Sequence, residues 1–318
     1  MRFLKSGKIF LYFLIILSFA FLIYNGVNKI IHINKNISVN SKKNTVNMHF
    51  PIVSDILIPK ETITPLPKIS RFFIDNFNKN EFIKEGGYMR ESTSVDWWVN
   101  SGAYLYINNG VAKTVSGELP ENDPRRLSYF KENPGETDNG YHPQNIFRLV
   151  TKTKWTNYEQ SAYYKIDRYV LSADPHRQPS NGLLLFNHYQ DGQTLYYAGL
   201  RVDGYVTIKK KYNGTYYIMS YVPFLSGTYN LDSSPNLISI NQWIGVKTVV
   251  NNVANNSVDI KLYIDMNGSG NWKLATEAID DGKKYSNTPA IIQEGYAGIR
   301  TDFMDVEFKN YKILETDN

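Results

Sequence analysis

Residues 295–313, GYAGIRTDFMDVEFKNYKI, decide the fold. Met304, Val306 and Phe308 alternate with Asp305, Glu307 and Lys309, the period-two pattern of a half-buried antiparallel strand. A break at residues 302–305 separates this run from an earlier alternating run that begins at Gly295. Two alternating runs joined so tightly close an all-β domain. Upstream, the same reading gives strands at residues 69–76, 95–99, 103–107, 111–115, 146–155, 158–171 and 182–189. It continues through 194–202, 205–211, 215–223, 243–251, 257–265 and 272–278. Asn108-Asn109-Gly110, Asp203-Gly204 and Asn213-Gly214 supply turns, the last two as two-residue hairpin loops. No helical pattern of ten or more residues occurs in residues 69–318, so the expected fold is an antiparallel two-sheet sandwich. Residues 117–144 contain Pro120, Pro124, Pro134 and Pro143 and are expected to form a long loop without regular structure.

At the other end, residues 9–24 (IFLYFLIILSFAFLIY) are almost wholly apolar and follow Arg2, Lys5 and Lys8. Residues 9–27 therefore read as a transmembrane anchor, with 1–8 as a short cytoplasmic segment. Ser18-Phe19-Ala20 has the spacing of a signal cleavage site, so secretion after cleavage is the alternative. Residues 28–68 carry Pro51, Pro59, Pro65 and Pro67 in a polar context and read as a stalk. The expected location is a single-pass membrane protein with its C-terminal domain outside the cytoplasm.

The formal charge of +5 belongs to the N-terminal region, because residues 1–43 hold seven Lys or Arg and no acid. Setting those seven aside leaves 28 basic against 30 acidic side chains, a net of −2, which gives no electrostatic footprint for nucleic acid. The lack of cysteine excludes disulfides, thiol catalysis and Cys-ligated zinc. An apolar fraction of 42% is enough to fill the core of one large sandwich.

The closing stretch, with Gln242-Trp243-Ile244-Gly245-Val246-Lys247 and Leu262-Tyr263-Ile264-Asp265, resembles the concanavalin A-like lectin/glucanase superfamily over about residues 69–314. That superfamily includes laminin G-like domains, carbohydrate binders, glycosidases and polysaccharide lyases, so the resemblance implies a jelly roll and a polysaccharide or cell-surface glycan as partner. The paired-carboxylate motif of its laminarinase-type hydrolases is missing. Its alginate-lyase-type members are more similar. Arg148 opens Arg-Leu-Val-Thr-Lys, His188 ends Phe-Asn-His, and residues 195–203 (LYYAGLRVD) resemble the strand that carries their catalytic tyrosine. Here Arg201 stands in that tyrosine's place, so a lyase would need Tyr197 as acid, His188 as base and Arg148 near the carboxylate.

The residues themselves point first to binding. Ala198, Leu200 and Val202 are expected to face the core, turning Tyr197 and Arg201 to the opposite face, where neither should fill the core. A sugar could meet an aromatic ring and a donor fork there. Alternation places His188 on the face of Leu184 and Phe186, and Tyr197, Arg201 and His188 are the candidate contacts. Lys209-Lys210-Lys211 beside Tyr212, Tyr216 and Tyr217 form a basic, aromatic hairpin suited to an anionic glycan or to a solvated tip. No cofactor is required. A structural calcium between the first and last strands would draw on Asp75, Asp302 and Asp305, while Asp265-Met-Asn-Gly-Ser-Gly270 reads as a Gly-rich hairpin. A glycan-binding domain is the leading expectation; a polysaccharide lyase and a structural or adhesion module without a sugar site are the alternatives.

Overall fold

The computed structural model describes residues 71–133 and 138–316. The expected anchor at residues 9–27 and stalk at 28–68 lie outside the described residues. Among the described residues, no helix is long and apolar enough to cross a membrane.

The strands are β1 (Phe72–Asp75), β2 (Glu81–Lys84), β3 (Trp97–Ser101), β4 (Tyr104–Asn108) and β5 (Val111–Lys113). After helix α1 (Pro124–Glu132) come β6 (Ile146–Trp155), β7 (Tyr158–Tyr169), β8 (Gly182–Asp191), β9 (Thr194–Arg201), β10 (Tyr205–Tyr212) and β11 (Thr215–Pro223). β12 (Trp243–Val253), β13 (Ser257–Asp265), β14 (Lys273–Asp280), β15 (Gly295–Asp302) and β16 (Met304–Glu315) complete the fold. They form two sheets. The larger runs β14-β13-β12-β7-β16-β5-β4-β2 with β1 added to β16, and the smaller runs β11-β10-β9-β8-β15-β6-β3.

The alternation of the closing stretch does what it predicts. Met304, Val306 and Phe308 enter the space between the sheets, where Phe308 stacks on Phe147 of β6 at 5.5 Å. Leu183, Leu185, Ala198, Leu200 and Ile299 come from the smaller sheet, and Val246, Ile260 and Leu262 from the larger. Burying each large aliphatic side chain is worth about 1.5–3 kcal/mol, so this layer holds the sandwich together without disulfides. On the opposite face of β16, Glu307 is held by Lys113 and Lys165, and Asp305 by Arg168 at 2.9 Å.

Polar groups in the core are paired across the gap. Asn187 Oδ1 accepts from Gln160 Nε2 at 2.7 Å and Thr248 Oγ1 at 2.9 Å, and Tyr311 donates to Gln160 at 2.9 Å. Lys210, expected with its neighbours on a hairpin, instead points inward and is fully buried. Its ammonium lies 2.7 Å from Asp280 Oδ2 and donates to the Thr288 carbonyl at 2.9 Å. Tyr196 donates to the same carboxylate oxygen at 2.7 Å, and the Gly282 N–H to its partner oxygen at 3.1 Å.

Two local expectations are corrected. Residues 117–144 are not wholly irregular, because α1 forms there: Asp123 accepts from the Arg125 N–H at 2.8 Å, and Pro124 starts the helix. The two ends of that excursion are pinned by Asp305, which accepts from the Gly117 N–H at 3.0 Å and Gln144 Nε2 at 2.8 Å. The Asp203-Gly204 connection has three residues, since β9 ends at Arg201 and β10 starts at Tyr205. The 213–214 loop keeps two, with Asn213 and Gly214 both at positive φ. Asp265 closes a Gly-rich hairpin as expected: burial acts to raise its carboxyl, but the N–H groups of Gly270, Asn267 and Ser269 hold it below its ordinary range.

Candidate functional site

Directly paired residues on antiparallel neighbours share one face of a sheet. One row therefore crosses the outer face of the smaller sheet through Lys209, Tyr197, Phe186, Gly298, Val150 and Trp98. A second carries Thr207, Gly199, Leu184, Arg300 and Arg148. At the hairpin end, Lys211 pairs with Tyr216 of β11.

Tyr197 and Arg201 face away from Ala198, Leu200 and Val202, as expected, but neither is an open surface residue. Tyr197 is 4% exposed, within an outer cluster of Trp98, Val150, Leu184, Phe186, Tyr189 and Leu195. Its ring lies 5.4 Å from Phe186 and 6.0 Å from Tyr216, and its hydroxyl accepts from Arg300 at 3.2 Å. Arg201 has spent its fork: Nε and Nη2 reach the two oxygens of Asp203 at 3.2 and 2.6 Å, and the ring of Tyr221 lies 4.5 Å from the guanidinium carbon.

His188 is not on this face. A bulge after Asn187 breaks the alternation, His188 adopts a positive φ, and its imidazole turns inside, near the rings of Tyr158 and Tyr196. Both ring nitrogens contact backbone carbonyls, Nδ1 at 2.6 Å from Ile291 and Nε2 at 2.7 Å from Thr156. Burial pushes its pKa below the ordinary histidine range, against the pull of those carbonyls. A base in that position cannot reach a sugar beside Tyr197 and Arg148, so the lyase arrangement of His188, Tyr197 and Arg148 is not assembled.

Asp75, Asp302 and Asp305 are not gathered either. Asp75 accepts from Trp97 Nε1 and the Phe77 N–H, both at 2.7 Å. Asp302 accepts from Arg300 Nε at 2.8 Å, and Asp305 serves Arg168 and the 117–144 segment. Among the described residues, no group of three His, Asp or Glu is placed to hold a metal ion.

The outer face does gather cations and rings. Arg300, which the sequence reading overlooked, lies over Tyr197, 5.3 Å from the ring centre. Its signal was available, because Tyr296, Gly298 and Arg300 alternate with Ala297, Ile299 and Thr301. Lys211 Nζ sits 4.9 Å from the centre of Tyr216, and Lys209 Nζ at 6.0 Å. Burial, reinforced by the nearby Arg201 and Arg300 guanidiniums, brings the Lys209 ammonium down to about 8. Burial also pushes the Tyr197 phenol up, so it remains a neutral hydroxyl. Tyr216 is 49% exposed and presents its ring at the rim. Such a surface can stack a flat ligand and offer several cationic donors to an anion.

Solved structures offer similar folds. The chain is similar to the carbohydrate binding module CBM66 from Bacillus subtilis, at 13% identity over 69% of this chain and 95% of that one, with a TM-score of 0.41. It is similar to a Bacillus licheniformis beta-glucanase at 12% identity, over 78% and 98% of the two chains, with a TM-score of 0.39. A Bacillus subtilis protein with a galectin-like fold matches at 12% identity, over 74% and 100%, with a TM-score of 0.38. No family model matches the sequence, and no curated protein matches it.

Proposed function

We propose that this protein binds anionic glycans on the outer face of its smaller sheet. Residues 9–27 tether it to a membrane, and residues 28–68 hold the domain away from the bilayer on the side outside the cytoplasm. The observation that carries the reading is the convergence of Arg148, Arg300, Lys209 and Lys211 around Tyr197 and Tyr216. Asp302 neutralises part of Arg300, and the Lys209 ammonium is already crowded by other cations. A carboxylate or sulfate on a sugar relieves that crowding, while the exposed Tyr216 ring receives the apolar face of the sugar.

The test is a titration of the full chain in detergent with heparin, polygalacturonate and neutral dextran. At least one polyanion should bind with an affinity that falls as salt rises, and dextran should not compete. A hydrogen bond to a charged group contributes about 1.5–3 kcal/mol, so Lys209→Gln or Lys211→Gln should weaken binding about tenfold or more. Equal affinity for polyanions and dextran, or unchanged affinity in both variants, overturns the reading. No binding to any of the three would favour a structural module.

A further inference from the structure

A second set of aromatic rings lies on the outer face of the larger sheet, where β2 and β4 pair and α1 forms a wall beside them. Phe82 and Tyr106 are cross-strand partners with ring centres 4.9 Å apart, and Tyr104 lies 5.1 and 4.6 Å from them. Phe82 is 37% and Tyr106 42% exposed, although each has a ring neighbour it could hide behind. Two hollows meet at Phe82. One, of about 140 Å³, is bounded by Tyr104, by α1 through Arg125, Ser128 and Glu132, and by Lys84 and Glu85. The other, of about 560 Å³ and more open, runs past Phe82 and Tyr106 to Asn80, Asn108 and Lys113.

The polar groups around the rings are held in place. Arg125 is fixed by Asp123 and donates to the hydroxyls of Tyr104 at 3.1 Å and Tyr106 at 3.3 Å. Glu85 accepts from the Gly102 and Ala103 N–H groups at 3.0 and 2.7 Å and from Asn133 at 2.8 Å, and burial raises its carboxyl. Unlike the outer face of the smaller sheet, the two hollows mix signs: Lys84, Arg125 and Lys113 stand against Glu85, Glu132 and Glu81. A strongly charged ligand of either sign meets repulsion there. A polyol meets donors and acceptors together, since each hydroxyl both donates and accepts.

We infer that this trough is a second binding site, and that it takes a short run of neutral sugar residues stacked across Phe82 and Tyr106. Exposed adjacent rings over a concave, mixed-polarity floor suit a ring with one apolar C–H face and a rim of hydroxyls. Because the hollows continue on both sides of Phe82, one toward Tyr104 and the other along Tyr106, an oligosaccharide fits better than a monosaccharide. The inference does not rest on the anionic face, and the two sites are separable by ligand charge.

The experiment titrates the full chain in detergent with cellohexaose, xylohexaose, laminarihexaose and mannohexaose, with heparin as the contrasting ligand. At least one neutral hexaose should bind at millimolar concentration or better, and more tightly than its monosaccharide. Phe82→Leu and Tyr106→Leu, which keep apolar bulk but lose the ring, should each weaken that binding at least fivefold and leave heparin binding unchanged. Lys209→Gln should leave hexaose binding unchanged. The inference is overturned if none of the four hexaoses binds, or if both Leu variants, melting at the wild-type temperature, bind the hexaose as tightly as the wild type.

Discussion

Replacing Lys210 by Met removes a fully buried cation and leaves the Asp280 carboxylate behind, still accepting from Tyr196 and Gly282 but without its counter-ion. Breaking a buried pair from one side costs about 3–5 kcal/mol. For a domain of this size, 1 kcal/mol moves the melting temperature by roughly 2–4 °C, so Lys210→Met should melt about 6–20 °C below the wild type. Asp280→Asn keeps one acceptor oxygen, enough for Tyr196 or Gly282 but not both, and strands the ammonium, so it should cost at least as much. The double variant Lys210→Met/Asp280→Asn buries no charge and keeps one of those two acceptor contacts, so it should be more stable than either single variant. The assay is urea unfolding followed by tryptophan fluorescence and far-UV circular dichroism. Single losses below about 1 kcal/mol, or a double loss equal to the sum of the singles within about 0.5 kcal/mol, would refute a mutually dependent pair.

Because the Lys209 ammonium titrates at about 8 in the free protein, its charge is present below that pH and lost above it. Polyanion affinity should therefore fall as pH rises through and just above 8, and Lys209→Arg should flatten that step in a titration series from pH 6.5 to 9.5. Tyr216→Ala should weaken polyanion binding without lowering the melting temperature, whereas Tyr197→Ala should lower it by several degrees, since only Tyr197 is buried. Equal thermal effects would contradict the packing of the outer cluster. Asp305→Ala leaves the Gly117 N–H without its acceptor and Gln144 Nε2 with the Gly117 carbonyl but not the carboxylate, at a cost of about 1–3 kcal/mol for an unsatisfied group, and limited proteolysis should then cut within residues 117–144 faster than in the wild type. Ending the chain at Thr301 should abolish cooperative melting, because β16 carries Val306 and Phe308.

The strands were legible because alternation and Asn-Gly turns are local signals: β6, β11 and β13 run over the same residues in the sequence and in the structure. β2 was missed because four residues, Glu-Phe-Ile-Lys, give too short a pattern to register. Helix α1 was hidden among prolines, although Asp123-Pro124 is itself a helix-start signal. The site was less legible because its decisive facts are not periodic. One bulge residue sends His188 inward while Phe186, two residues earlier, remains outside, and a single carboxylate on β14 determines that Lys210 is buried between Lys209 and Lys211. Arg201 faces the expected way but is captured by Asp203 two residues later, a pairing that spacing allows and does not require.

The position of β16 also governs when the fold can begin. It follows every other described strand in sequence, yet it lies inside the larger sheet between β7 and β5 and gives β1 its partner, about 240 residues away in sequence. A chain still being synthesised therefore has β7 and β5 with no strand between them, and β1 with nothing to pair to. Closing contacts of such sequence separation is slow, and it cannot start before β16 has been made. The domain must assemble as one unit once β16 is present, and until then its unpaired strand edges and its large apolar residues need protection from other chains.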